Sequence, residues 1–576
     1  MSALTRFART YGTPYLPWYI AGAVALTVTN GLSVTIPLYL AEGIDALGHG
    51  LDARPIVLRS AAIVAAMGTA VIGIRTASRL LFFTPGRLIE ARIQHDLFAK
   101  ILEQQPEFFA RHPQGDLTSR FTSDVMNARL LFGFTALGIV NTASAAVLAG
   151  LQLVKLSPAL GLLAAVPLGL AFLATTVAVD RMRDLMRQNQ QRLAWVSEHA
   201  LTSFQGIAAV HAFGAAGALT RVFREHNEAI GRNQIARSGL RVAIGPLLGL
   251  AASLDVFLAL WLGGPGGLVG HLTAGEIVAF AAIVAYLVAP LRTLTFTLSV
   301  VRQSTASLER LDAVLSTVPH RPDRADGPGA PAPTAPPAIS LRSLSYRYPG
   351  SDRDALREVS VDVPSGGVLG VFGPTGSGKS TLVRCLLRLD DPPPGAVWID
   401  GTDVRSIDLD RWRRAVALVP QRAFLFSESV RDNILLGSDP ARLDALIDAA
   451  QLRVDVAALP DGLDTVVGES GLTLSGGQRQ RVALARGLGR DAVVLVLDDV
   501  LSAVDPTTES ALIRNLRQRA GCPTTVIVSN RVSALRHADV IVVLEDGAGV
   551  DRGTHAELVR RPGPYHDAAE RQEDRG

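Results

Sequence analysis

The run Gly373-Pro374-Thr375-Gly376-Ser377-Gly378-Lys379-Ser380-Thr381 carries the clearest chemistry in the chain. Its spacing is G-x-x-x-x-G-K-S, and it follows Val368-Leu369-Gly370-Val371-Phe372, a buried-strand pattern, before helix-forming sequence begins. Glycines let backbone N–H groups close around phosphate oxygens, and a helix N-terminus adds the positive end of its dipole. Lys379 is expected to reach the β- and γ-phosphates of a nucleoside triphosphate, and Ser380 to hold Mg²⁺. A second apolar strand pattern, Val493-Val494-Leu495-Val496-Leu497, delivers Asp498 at its carboxyl end, where it is expected to bind Mg²⁺ through water. Just upstream lies Leu474-Ser475-Gly476-Gly477-Gln478. A Ser-Gly-Gly that opens a helix can cradle a phosphate from outside.

The elements that must carry these groups divide the chain in two. The first half is apolar and poor in charge; from about Ile339 the composition is that of a soluble domain. A helix needs roughly 20 apolar residues to cross a bilayer core of about 30 Å. Six segments qualify, at about 16–40, 57–82, 130–153, 157–179, 240–263 and 275–300. The links after spans one, three and five are short, whereas those after spans two and four, about 83–129 and 180–239, are long, polar and helix-friendly. The long links hold Arg87, Arg92, Arg111, Arg120, Arg181, Arg183, Arg187, Arg192, Arg221, Arg224, Arg232 and Arg237. Positive charge collects on the cytoplasmic side, so the long links and both termini are expected there. The expected location is the cell (inner) membrane, multi-pass, with the soluble half cytoplasmic. Turn formers near Gly115 and Gly206 suggest a knob or a plain hairpin turn at each long-link tip. Asp255, Arg292 and Arg75 are isolated charges within the spans. Such groups face a wet cavity, where they could contact substrate, or pair between helices.

Several classes are excluded or disfavoured. Lys+Arg 56 against Asp+Glu 53 gives +3, which does not suit a polybasic nucleic-acid binder. Cys385 and Cys522 have neither ligand spacing nor an oxidising context, so no disulfide or metal site is indicated. The basic N-terminus runs into a full-length span and does not resemble a cleaved signal peptide. A Pro/Ala/Gly-rich run over 319–337 behaves as a semi-rigid linker. The expected domains are therefore 1–318 in the membrane, the linker 319–337, and a nucleotide-binding domain over 338–576.

Together these motifs resemble the ATP-binding cassette (ABC) transporter family, specifically half-transporters of exporter fold, over essentially the whole chain. The resemblance implies a six-helix all-α transmembrane domain plus an α/β P-loop nucleotide-binding domain, with ATP and Mg²⁺ as cofactors. It implies that Tyr348 stacks on adenine and that Gln421 links the Mg²⁺ site to the membrane domain. It assigns Val467–Gly471 to the X-loop region, with Ser470 where Arg is more usual, and Ser502–Asp505 to the D-loop. The tips near Gly115 and Gly206 match the family's two coupling helices. In the family, two cassettes sandwich two ATP molecules, each between the Walker A loop of one, here Gly373–Thr381, and the signature, here Ser475-Gly476-Gly477-Gln478, of the other.

Two positions depart from the family pattern. Asp499 stands where the family has the Glu that orients the attacking water, and Asn530 where it has a phosphate-sensing His. Asp is one methylene shorter than Glu, and Asn cannot become cationic. The rest of the nucleotide machinery is unaltered. That asymmetry resembles the impaired chain of asymmetric heterodimeric bacterial exporters, many of them multidrug exporters. The expected partners are a second half-transporter with intact Glu and His, the lipid bilayer, and an amphipathic small-molecule, lipid or peptide substrate. Three alternatives remain open at this point: a slow homodimeric exporter, an exporter-fold importer of metal chelates, and an ATP-gated regulatory module.

Overall fold

The computed structural model of the chain describes residues 2–48, 53–264, 272–317, 330–468, 474–500 and 522–573. Glu469–Gly471 of the X-loop region, the D-loop Ser502–Asp505 and linker residues 319–329 lie outside the described residues. The chain separates into two compact units: Met1–Gln104 with Phe108–Val318, and Pro319–Gly576 with Gln105–Glu107.

The described residues of the first unit form helices and the turns between them. Its long helices are α1 (Leu16–Leu47), α2 (Arg54–Leu102), α3 (Gln114–Leu156), α4 (Pro158–Gln205), α5 (Ala216–Gly263) and α6 (Ala274–Leu315). Among the described residues, six helices are long and apolar enough to cross a membrane. At 1.5 Å per residue, a helix such as α4 spans roughly 70 Å, more than twice the thickness of a bilayer core. The polar links of the sequence are therefore continuations of the spans. Short helices, Pro106–Arg111 and Ile207–Ala212, fill the turns at the two tips. Pro37, Pro85, Pro167, Pro246 and Pro290 lie inside α1, α2, α4, α5 and α6. Membrane helices tolerate proline because neighbours re-satisfy the freed backbone groups.

α1 packs along α2, and α4 along α5. Small residues permit the closest approaches. A Cβ on Gly86 of α2 would stand 3.1 Å from the Gly133 Cα of α3. The apolar stripe Leu248, Ala251 and Ala259 of α5 joins Ala164, Leu168 and Ala171 of α4 in one buried cluster. Polar groups inside the unit are mostly satisfied between helices. Asn30 of α1 donates to the Ser144 Oγ of α3 at 2.7 Å and accepts from the Tyr286 hydroxyl of α6 at 2.8 Å. Arg75 of α2 donates to the Ser33 Oγ of α1 at 3.3 Å, the inter-helix alternative for that charge.

The second unit is built on a sheet. Its strands are β1 (Ile339–Tyr346), β2 (Leu356–Val363), β3 (Val368–Phe372), β4 (Val397–Ile399), β5 (Thr402–Asp403), β6 (Val416–Val419), β7 (Val494–Asp498), β8 (Thr524–Ser529), β9 (Val540–Glu545) and β10 (Ala548–Gly553). Their order is β5-β4-β1-β2-β10-β9-β3-β8-β7-β6. β9, β3, β8, β7 and β6 run parallel, whereas β2, β1, β4 and β5 pair antiparallel. A parallel sheet covered on both faces needs continuous apolar strands. β8 is buried at all positions, Thr524–Ser529, and β7 from Val494 to Leu497. Leu495, Leu497 and Ile527 point into one core cluster and Val494, Val496, Val526 and Val528 into another, as the two-residue strand period requires.

Candidate functional site

The parallel strands bring four chain segments to one edge. Phe372 of β3 is in register with Ser529 of β8, Asp498 of β7 with Val528, and Val419 of β6 with Leu497. The residues just beyond these carboxyl ends are Gly373, Asn530, Asp499 and Gln421. Open parallel sheets bind ligands at that edge. A cleft of about 770 Å³ opens there, lined by Thr375, Gly376, Gly378, Lys379, Ser380, Thr381, Gln421, Asp498, Asp499 and Asn530 among others.

The loop between β3 and helix α7 (Lys379–Leu386) turns through left-handed backbone at Gly376, φ +86°, and Gly378, φ +99°. A side chain is strained at such angles. At Gly378 space forbids it as well, since a Cβ would lie 2.6 Å from the Ala355 carbonyl oxygen. Gly373 and Ser377 are buried behind the loop, and Pro374 is exposed on its rim. The Lys379 ammonium donates to the carbonyls of Gly373 and Pro374, both at 2.7 Å. Burial lowers its pKa, while Asp499 and Asp498 work in the opposite direction. Thr381 lies in the first turn of the helix, and its hydroxyl is 3.1 Å from that of Tyr348. Tyr348 is half-buried and is not among the residues lining the cleft.

Asp498 and Asp499 place two carboxyl groups opposite this lysine. Burial raises the pKa of Asp498, and Asp499 raises it further against the pull of Lys379. Asp499 leaves β7 at φ +51°, a left-handed conformation that Asn and Asp adopt more readily than other non-glycine residues. Its N–H donates to the Val528 carbonyl at 2.9 Å, and its Oδ2 accepts from the Gln421 Nε2 at 3.1 Å. Asn530 is exposed on the cleft wall, and its carbonyl accepts from the Gln572 Nε2 at 3.0 Å. Left-handed glycines beside a lysine suit a polyphosphate. Adjacent carboxylates next to the Ser380 hydroxyl and the Gln421 amide form an oxygen donor set that suits Mg²⁺.

Ser475, Gly476, Gly477 and Gln478 lie at the start of helix α8 (Gly476–Gly489) and are not among the cleft-lining residues. The Ser475 hydroxyl accepts from the Gln478 N–H at 3.2 Å, and the Gln478 side chain accepts from the Ser475 N–H at 2.9 Å. This reciprocal cap fixes the helix entry. Beneath it, Asp455 accepts from the Arg481 Nε at 2.9 Å.

Arg353, Asp354, Ala355, Arg357, Asp546 and Gly547 also line the cleft, and no sequence motif had marked them. They come from the approach to β2 and the β9–β10 turn, and Arg357 ties the two together through the Asp546 carbonyl at 2.6 Å. In the membrane unit, Arg292 lines a separate cavity. Asp255 is not among the residues that line it. It is 1% exposed, on the buried stripe Leu248, Ala251, Asp255, Ala259 of α5. Neither carboxyl oxygen has a hydrogen-bond partner among the described residues.

The chain matches two family models, one described as the ABC transporter transmembrane region, over residues 19–291, and one as ABC transporter, over residues 356–502. It is 30% identical over 560 residues to the "Probable multidrug resistance ABC transporter ATP-binding/permease protein YheI" of Bacillus subtilis (strain 168), covering 96% of this chain and 95% of that relative. It is 30% identical over 493 residues to the ATP-dependent lipid A-core flippase of Chromobacterium violaceum, covering 83% of this chain and 82% of the flippase. Its fold is similar to the structure of a bacterial Atm1-family ABC exporter with ATP bound, with a TM-score of 0.79 over 96% of this chain and 99% of that one. Identity there is 24%, so this likeness speaks for the fold alone.

Proposed function

The chain belongs to the ABC transporter family and is of exporter type, and we propose that it is the hydrolytically impaired half of a two-chain exporter. Its substrate is an amphipathic small molecule, lipid or peptide. The names of the relatives, multidrug resistance and lipid A-core flippase, fit that range. The protein is a multi-pass membrane protein; we place the nucleotide unit and both termini in the cytoplasm of a cell-membrane transporter, on the positive charge of the long links.

The observation that carries the proposal is the pair Asp499 and Asn530 on one cleft wall with Lys379. Hydrolysis joins a water oxygen to the γ-phosphorus, breaks the bond to the ADP oxygen and passes a proton from the water. Lys379 and the loop N–H groups hold the phosphates in place. Ser380, Gln421 and Asp498 would hold Mg²⁺, which supplies charge neutralisation. Asp499, steadied by Gln421, is the group that orients the water and receives its proton. Its carboxylate reaches less far than that of Glu, and a displacement of about 1 Å can cost on the order of 100-fold in rate. Asn530 can donate to a γ-phosphate oxygen but brings no positive charge, so it stabilises developing negative charge less. ATP therefore binds this site well and is cleaved there slowly.

The signature at the start of α8 has no such defect. Ser475-Gly476-Gly477-Gln478 is free to complete the productive site on the Walker A loop and Glu of a second chain. Steady-state ATPase in lipid, for this chain alone and with its co-expressed partner, tests the division. Negligible turnover alone with vigorous turnover of the pair is expected. Sustained turnover of the chain alone would contradict it and make the protein a homodimeric exporter.

A further inference from the structure

We propose that a cavity between α4, α5 and α6 binds the acidic headgroup of an anionic single-chain amphipath. This deepens the exporter reading and rests on it. The cavity measures about 930 Å³. Arg183 of α4, Arg237 and Arg241 of α5 and Arg292 of α6 line it, together with apolar side chains such as Val179 and Val242. Among the described residues that line it there is no Asp or Glu.

The charges are not balanced locally. Arg183 is paired with Asp180 at 2.6 Å. The Arg237 guanidinium rests on the Met186 Sδ, which is a weak acceptor. Arg241 and Arg292 have no ion-pair or hydrogen-bond partner among the described residues. Cations beside an apolar surface invite an anion, and guanidinium forks match carboxylate and phosphate oxygens. The position fits an amphipath. Residues 179–186 run on from the end of the fourth apolar span and 237–242 lead into the start of the fifth, at the cytoplasmic end of the bilayer by the charge rule. A headgroup there can meet the arginines while its chain lies along Val179 and Val242. Asp255 lies about 21 Å farther along α5 than Arg241 at 1.5 Å per residue. It is enclosed, and so cannot draw a cation into this cavity.

The test uses the full chain, with its partner where one co-purifies, in nanodiscs of phosphatidylcholine. The probes are dodecyl phosphate, dodecyltrimethylammonium and inorganic phosphate. Dodecyl phosphate is expected to bind at least ~10-fold more tightly than either of the others, about the worth of one charge-assisted hydrogen bond. Arg241→Gln with Arg292→Gln should weaken dodecyl phosphate on the order of 10- to 100-fold and leave the cationic analogue unchanged. Lysine at both positions should retain most of the affinity. Equal binding of the cationic analogue, equal binding of inorganic phosphate, or no response to the double substitution would each overturn the proposal. The headgroup comparison on the unaltered protein decides by itself if the glutamine pair does not fold. ATPase of the same preparation separates the two readings: turnover without headgroup preference would sink only the substrate class.

Discussion

The phosphate loop and the arginine cavity both offer positive charge to an anion, and they are made from different material. The loop is a contiguous stretch, Gly373–Thr381, whose left-handed glycines shape the backbone around a single lysine. The cavity takes its charge from side chains on α4, α5 and α6, far apart in the chain. A site made of backbone fails when a Cβ is added. A site made of side chains tolerates that and fails when charge is removed.

The largest expected effect separates the two directly. Lys379→Ala should lower ATP affinity by at least ~100-fold, the worth of a hydrogen-bonding charge facing several phosphate oxygens. Arg241→Gln with Arg292→Gln should leave ATP affinity unchanged in the same fluorescent-nucleotide titration. Loss of ATP binding in the arginine variant would break the comparison.

Next comes the backbone contrast. Gly378→Ala forces a Cβ to within 2.6 Å of the Ala355 carbonyl at φ +99°, and ATP affinity should fall by roughly 10-fold or more, given a strain of 1–3 kcal/mol. Gly245 lines the cavity, and a Cβ there meets nothing within 4 Å. Gly245→Ala should therefore stabilise α5 by about 0.5–1 kcal/mol through helix propensity, seen as a higher melting temperature. A stabilised Gly378→Ala or a destabilised Gly245→Ala would reverse the assignment of materials.

The smallest effect probes the signature. Ser475→Ala removes one cap of α8 and should cost about 1 kcal/mol in the stability of the nucleotide unit. Chemical denaturation of that transition measures it. No change would mean that the remaining Gln478 bond holds the helix start alone.

The same contrast explains what could be read from the chain. The loop, Asp498 and the signature were legible because each is a short contiguous run next to an apolar strand or helix start. The six spans were legible because length and hydropathy are local quantities; their helical extensions followed from the scarcity of Gly and Pro breakers in 83–129 and 180–239. The cavity was not legible. Arg183 and Arg237 looked like orientation charges, and only the packing of α4 on α5 and α6 sets them beside Arg241 and Arg292. The burial of Asp255 was not legible for the same reason, since an apolar span does not state which face is enclosed. Asp354, Arg357 and Asp546 reach the nucleotide cleft through turns of the antiparallel strands, where no motif signals the approach.

Cleavage of ATP at this chain's own site, in the transporter as it assembles, tests the central claim most directly. Labelled ATP would be photocrosslinked during turnover, and the nucleotide on this chain analysed as ATP or ADP. The account predicts mostly uncleaved ATP here, with Asp499→Glu plus Asn530→His raising the cleavage rate on the order of 100-fold. Rapid conversion to ADP on the unaltered chain, lost in Asp499→Ala, would show that this Asp suffices and contradict the impaired-site account.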